Sequence, residues 1–170
     1  MNYTIRRLGP SDASDYLKIR LEMLQDLPEA YGDSYEEARG HALSDVAAWL
    51  GSERAFFGAI DGHQLIGAVN FRREVPHKMK HRGWLLGLYV APAARGTGCS
   101  MALVDQVVDH ARSQVRQVHL GVGAFNLRAK RLYERAGFEV YGTEPRSLYV
   151  DGKYYDEHFM VRFLDKDVVE

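Results

Sequence analysis

The chain has 170 residues, 46% of them apolar and 26% charged, with a formal net charge of −1 and a single cysteine. Such a length and composition predict one soluble globular domain over residues 1–170, with enough chain to bury a sizeable core, and the near-neutral balance argues against nucleic acid or an anionic membrane as a partner. One cysteine excludes an internal disulfide framework and fits a reducing compartment; with neither an apolar signal core at the N-terminus nor an apolar stretch of spanning length, the expected location is the cytoplasm.

In chain order, Ser11 and Asp12 are expected to cap a helix carrying Tyr16, Leu17, Ile19, Leu21 and Leu24 on its apolar side, which the Leu27-Pro28 step ends. Residues 29–41 are polar and small and read as a loop or short helix over a cleft. Ser44 and Asp45 then cap a short helix through Trp49 and Leu50. Apolar runs at 55–60 and 65–72 around Asp61-Gly62 predict a hairpin. A basic loop over 76–82 leads to 84–90, which is apolar on both alternating faces, bounded by Gly83 and Pro92, and reads as a buried strand. Met101, Leu103, Val104, Val107, Val108 and Ala111 recur at helical spacing. A strand over 118–125, a second helix, and a hairpin of 140–149 and 153–163 around Asp151-Gly152 complete a mixed α/β sheet with helices packed against it.

Between the buried strand and its helix lies Val90-Ala91-Pro92-Ala93-Ala94-Arg95-Gly96-Thr97-Gly98-Cys99-Ser100. A small-residue turn there lets several N–H groups converge on an anion at the positive end of the helix dipole, and a phosphate or pyrophosphate is the natural guest. A Walker A loop requires Gly-Lys-Ser/Thr, whereas Gly98 is followed by Cys99-Ser100. A dinucleotide fingerprint requires a third glycine where Met101 stands. The remaining pattern, Arg95 to Ser100, resembles the coenzyme A pyrophosphate loop of the GNAT superfamily of N-acetyltransferases, Gln/Arg-x-x-Gly-x-Gly/Ala. A second segment, Asn126-Leu127-Arg128-Ala129-Lys130-Arg131-Leu132-Tyr133-Glu134-Arg135-Ala136-Gly137-Phe138, is similar to that superfamily's Asn-x-x-Ala-x-x-Leu-Tyr-x-x-x-Gly-Phe at every marked position. The resemblance extends over nearly the whole chain, from a strand at Ile5-Arg6 to the closing hairpin. It implies a mixed, mostly antiparallel sheet with splayed central strands, acetyl-CoA as cosubstrate, and no metal.

The same resemblance implies roles for individual residues. Backbone N–H groups of Gly96, Gly98 and Ser100 would meet the pyrophosphate, with Arg95 beside them and Thr97 and Cys99 within the loop. Ser100 departs from the usual Gly/Ala, but its hydroxyl can donate to phosphate. Cys99 reads as a packed first-turn residue rather than a nucleophile, no histidine adjoining it in sequence. The oxyanion donor would come from the backbone near Leu88, Tyr89 and Val90. Gly121 and Gly123 in the following strand mark either the close approach of a ligand, which fits a splay, or a plain bulge. Tyr133 is the candidate general acid, with a core aromatic as the alternative; Asn126 caps its helix, bonds the pantetheine arm, or both, and Ala129 belongs to the same coenzyme-binding segment.

The general base stays open. The central strand has no Glu or His, which leaves Glu36, Glu37, Glu74, His81, His119 or a water chain, and Glu36-Glu37 reads either as an attractor for a cationic amine or as a solvated face. His77 and His81 lack further ligands at metal-binding spacing. The expected function is direct acetyl transfer, in a ternary complex, to a primary amine of a small molecule or peptide. A catalytically inactive acyl-CoA-binding sensor or scaffold is the alternative. The amine's identity and the use of longer acyl chains stay open, as does assembly, where a homodimer is one option.

Overall fold

The computed structural model describes residues 2–165. A seven-stranded sheet runs in the order β1-β2-β3-β4-β5-β7-β6. Its strands are β1 (Tyr3–Arg7), β2 (Ala55–Asp61), β3 (Gln64–Arg73), β4 (Arg82–Val90), β5 (Gln117–Gly123), β6 (Glu139–Val150) and β7 (Lys153–Phe163). Every neighbouring pair is antiparallel except β4 and β5. The helices are α1 (Ala13–Asp26), α2 (Tyr35–Ala38), α3 (Leu43–Leu50), α4 (Cys99–Arg112) and α5 (Leu127–Arg135).

The sheet separates two apolar cores. On one face Leu103, Val104, Val107 and Val108 of α4 pack with Tyr133 of α5 against Phe71, Leu85, Val118, Leu120 and Met160. On the other, Tyr16, Ile19, Met23 and Leu24 of α1 and Val46 and Leu50 of α3 cover Phe56, Leu65, Ala68 and Tyr89. Burial on both faces is why the central strands read as continuous apolar runs.

Local sequence signals place most boundaries, with three shifts. Asp12 is the N-cap residue of α1, but its carboxylate accepts the Gly9 N–H at 2.8 Å and pairs with Arg6 rather than capping the helix. Ala42, not Ser44, caps α3, so Ser44 and Asp45 lie in its first turn. Asp61 still pairs with Gln64, so the first hairpin turns through Gly62-His63; the second turns through Asp151-Gly152 as expected, both at positive φ.

Two irregularities shape the centre of the sheet. β4 and β5 pair only at Arg82–Gln117, Gly83–Val118 and Trp84–His119, then diverge into a fork. Within β4, Ala68 of β3 faces Tyr89 while Asn70 faces Leu86, so β4 carries one extra residue, with Gly87 at φ +61°. That bulge reverses the strand's parity: Leu85 and Val90 both reach the α4 core although they differ by an odd number of positions. β5, by contrast, pairs with β7 without interruption, so its two glycines do not mark a bulge.

The short parallel ladder depends on Gly83. A Cβ there would lie 2.2 Å from Cε2 of Phe71, which is fully buried. Gly83→Ala is therefore expected to destabilise the protein by about 1–3 kcal/mol through overpacking. Urea unfolding measures this, and an unchanged midpoint would show that Phe71 repacks freely.

Candidate active site

The fork opens toward the C-terminal end of β4, where the chain enters the turn before α4. Pro92–Ala94 form a 3-10 turn, Gly96 and Gly98 adopt φ of +81° and +87°, and Gly98 is the N-cap residue of α4. The left-handed geometry, which glycine adopts without a Cβ penalty, lets the loop curl into the helix start. Among the described residues the N–H groups of Gly96, Thr97 and Gly98 have no protein acceptor, and those of Cys99, Ser100 and Met101 open the helix, whose first ladder bond is Ala102 N–H to the Gly98 carbonyl at 3.0 Å. Gly96 has open space where a Cβ would project. The turn thus presents a row of donors at a helix N-terminus.

Arg95 is turned elsewhere. Its Nε donates to the Val90 carbonyl at 3.0 Å, its guanidinium pairs with Asp26 at the end of α1 and lies 5.5 Å from the Tyr89 ring centroid, and its N–H is bonded to Pro92. Its side chain braces the turn instead of lining it. Cys99 is buried, and burial pushes its thiol up to about 11, which leaves it protonated and unsuited to nucleophilic attack.

On the α4 face, α5 begins at Asn126, whose Oδ1 accepts the Ala129 N–H at 3.1 Å, and stops at Gly137, φ +82°. Gly137 lets the chain turn so that Phe138 enters the core with its ring 6.0 Å from that of Tyr133. Tyr133 is buried, and its hydroxyl makes no hydrogen bond to a described residue. Burial raises its pKa above the ordinary phenol value, with the nearby Tyr31 adding to the shift, so the hydroxyl keeps its proton at any working pH.

The other face is covered by the segment after α1. Tyr31 reaches across and donates its hydroxyl to the Leu88 carbonyl at 2.9 Å, beside the Gly87 bulge, while Asn70 donates to Leu86 at 3.1 Å. Neither Tyr31 nor Asn70 stands out in the sequence, because their roles come from contacts between distant segments. Around the closed end of the fork, His119 stacks near Trp84 and Tyr141, with centroids at 5.3 and 5.5 Å.

The residues considered as bases do not converge. Glu74 accepts Trp84 Nε1–H at 2.7 Å. Glu37 closes a capping box with Ser34 at the head of α2, and Glu36 is exposed beside it. His81 is exposed ahead of β4, far from the turn. His119 is buried with both ring nitrogens engaged, one with Gln117 at 2.8 Å and one with Tyr141 at 3.3 Å; burial, helped by Arg82, pushes its pKa down to about 4. An open basic hollow of about 470 Å³, lined by Arg73, Lys80, His81 and Arg116 among others, lies at the opposite end of α4 from the glycine turn. Among the described residues no three His, Cys, Asp or Glu side chains group to hold a metal, and no helix is long and apolar enough to cross a membrane.

Residues 21–138 match the family model described as Acetyltransferase (GNAT) family. An uncharacterized N-acetyltransferase of Mycobacterium tuberculosis is 36% identical over 131 residues, covering 73% of this chain and 83% of the relative. A GNAT-family acetyltransferase from Streptococcus pneumoniae superposes with a TM-score of 0.86 at 19% identity, over 96% of this chain and 99% of that one. A Salmonella typhimurium protein solved with its cofactor acetyl-CoA superposes with a TM-score of 0.83 at 20% identity, over 100% and 98% of the two chains. The splayed, mostly antiparallel sheet is the fold these structures share.

The buried imidazole makes stability depend on pH. With its folded pKa near 4 and an unfolded value near 6.5, His119 binds fewer protons in the folded state between those limits. Its contribution is complete above about pH 6.5 and is lost as pH falls toward 4. Urea midpoints at pH 7 and 4.5 should differ more in the wild type than in His119→Gln; His110, shifted the same way, remains in both proteins.

Proposed function

Because the chain belongs to the acetyltransferase (GNAT) family, we propose that this N-acetyltransferase carries an acetyl group from acetyl-CoA to a primary amine of a small molecule or peptide, by direct attack in a ternary complex. The observation that carries the reading is the fork between β4 and β5 opening at the same end of the sheet as the donor-rich turn that heads α4. A long ligand with an anionic middle and an amide-bearing arm fits that combination. Its pyrophosphate takes the N–H groups of Gly96, Thr97, Gly98, Cys99 and Ser100, and its arm enters the fork past Asn126 and Ala129, where β4 lacks a strand partner. The Salmonella typhimurium structure supports the choice of acetyl-CoA.

Acetyl-CoA supplies an acetyl group activated as a thioester. The chain's own groups do the rest. Backbone N–H groups that β4 turns toward the fork, between Leu88 and Val90, hold the carbonyl oxygen as negative charge grows on it. Tyr133, protonated throughout, donates a hydrogen bond to the departing sulfur and releases its proton only as another replaces it. Arg95 holds the turn in place through Asp26 and Val90. Glu36, exposed at the head of α2, is left to attract a cationic acceptor from solution, whereas Glu37 is already spent on its helix cap.

Thiol release from acetyl-CoA, followed with a panel of amines, tests the reading directly, since coenzyme binding without release for every amine would mark a binding module. Gly98→Glu should abolish acetyl-CoA binding in calorimetry while the fold persists, because it places bulk and like charge on the donor row at a left-handed backbone position. Unchanged affinity would remove the turn from the coenzyme site. Tyr133→Phe should lower kcat about 10²- to 10⁴-fold with little change in acetyl-CoA affinity. Equal kcat would leave Tyr133 as a core aromatic.

A further inference from the structure

Glu74, Glu37 and His119 are each committed to other partners, yet one carboxylate does lie against the fork. β5 and β7 pair with Gly121 opposite Phe159 and Gly123 opposite Glu157, which puts Glu157 on the same face as Gly121. That is the α1 face, since Val118, Leu120 and Val122 point into the α4 core. Glu157 leans along the sheet over Gly121: a Cβ on that glycine would lie 2.3 Å from Oε1 and 2.8 Å from Cδ. Gly121 is two residues beyond the last β4–β5 pair at Trp84–His119. The half-buried carboxylate therefore stands at the mouth of the fork, across the sheet from Tyr133. Its Oε2 accepts the Ser147 hydroxyl at 3.0 Å, and Oε1 has no donor among the described residues.

Resting on the acetyl-transfer reading above, the geometry points to Glu157 as the base that takes a proton from the acceptor's ammonium on the open face of the fork. The α4 face is filled by packed core, so the amine must arrive from the side on which Glu157 lies. An ammonium has no lone pair and must lose one proton first. Glu157 accepts it, directly or through one water. The freed nitrogen then forms its bond to the acetyl carbon as the carbon–sulfur bond breaks, and the sulfur takes the Tyr133 proton. The nitrogen's surplus proton passes within the fork to restore Tyr133, and Glu157 returns its own to bulk water, so amide, thiol and one proton are the products. A carboxylate in this place also fits a cationic primary amine as acceptor. The titratable groups facing it are Glu144 and Tyr141 on β6, Tyr155 on β7, His119 on β5, and Glu29 in the turn packed on β5 and β6.

The test compares wild type, Glu157→Gln and Gly121→Ala with one amine that the wild type acetylates. Glu157→Gln should lower kcat/KM for the amine about 10²-fold at pH 7 with acetyl-CoA affinity by calorimetry unchanged, and the defect should shrink as pH approaches the amine's own pKa, where free amine needs no base. Gly121→Ala keeps the carboxylate but fills its place with a methyl group, and only the flexible end of Glu157 must move. It should show a loss of the same kind, with the thermal midpoint reporting retained folding. Glu157→Gln matching wild type at every pH overturns the assignment, as does a defect independent of pH and accompanied by weaker acetyl-CoA binding, which a structural role would give. A wild type that binds acetyl-CoA but acetylates no amine overturns the acetyl-transfer reading, and this inference with it.

Discussion

Two strands that begin as neighbours and then part impose the central constraint on this protein. Beyond Trp84 and His119, β4 runs on to Val90 with no strand beside it on the β5 side, although it lies in the middle of a seven-stranded sheet. Backbone donors and acceptors in such a place must find partners or carry the cost of desolvation. The protein meets part of this demand itself, through the Tyr31 hydroxyl on the Leu88 carbonyl and the Arg95 guanidinium on the Val90 carbonyl. The remainder is a slot suited to a ligand that brings amides of its own. The bulge at Gly87 belongs to the same arrangement, since it turns the far end of β4 out of its register with β3 just where the fork widens.

The two faces of the sheet also differ in character at the fork. The α4 and α5 face is closed and apolar, and it keeps the Tyr133 phenol protonated and out of bulk water. The α1 face carries the polar groups: Tyr31, His119, and the carboxylate of Glu157 over Gly121. In the mechanism proposed here, thiol departure and amine entry would have separate surroundings, each with a dielectric suited to its proton. Tyr133 and Glu157 come from segments that share no secondary structure and lie on opposite faces of the sheet.

Much of this was legible in the sequence where the signal is local. Glycines at positive φ, the Asn126 cap and the Gly137 stop belong to short segments with their own conformational logic, and the helices and strands follow from periodicity. The bulge in β4 was not legible, because a strand buried on both faces has no polar residues to betray a change of parity. Glu157 escaped for a different reason. Its place depends on the pairing of β5 with β7, fixed only when distant segments meet, although the strand glycine at 121 did signal that something approaches closely. His119 shows the converse, a residue type suited to proton transfer whose surroundings hold it neutral.

The broken course of β6 has a consequence outside the site. β6 is an edge of the sheet, and edges with free ladder groups can template pairing with other chains. Its register against β7 shifts twice, at Val140/Gly142 and between Glu144 and Leu148. The second interruption contains Pro145, which has no N–H to offer, and Arg146, at φ +56°, whose N–H is already given to Asp156 at 2.8 Å. With Val140, Tyr141 and Tyr149 exposed along this strand, an unbroken ladder here would be an adhesive surface. The irregularity that sets Ser147 beside Glu157 therefore also keeps the outermost strand from growing into an aggregate.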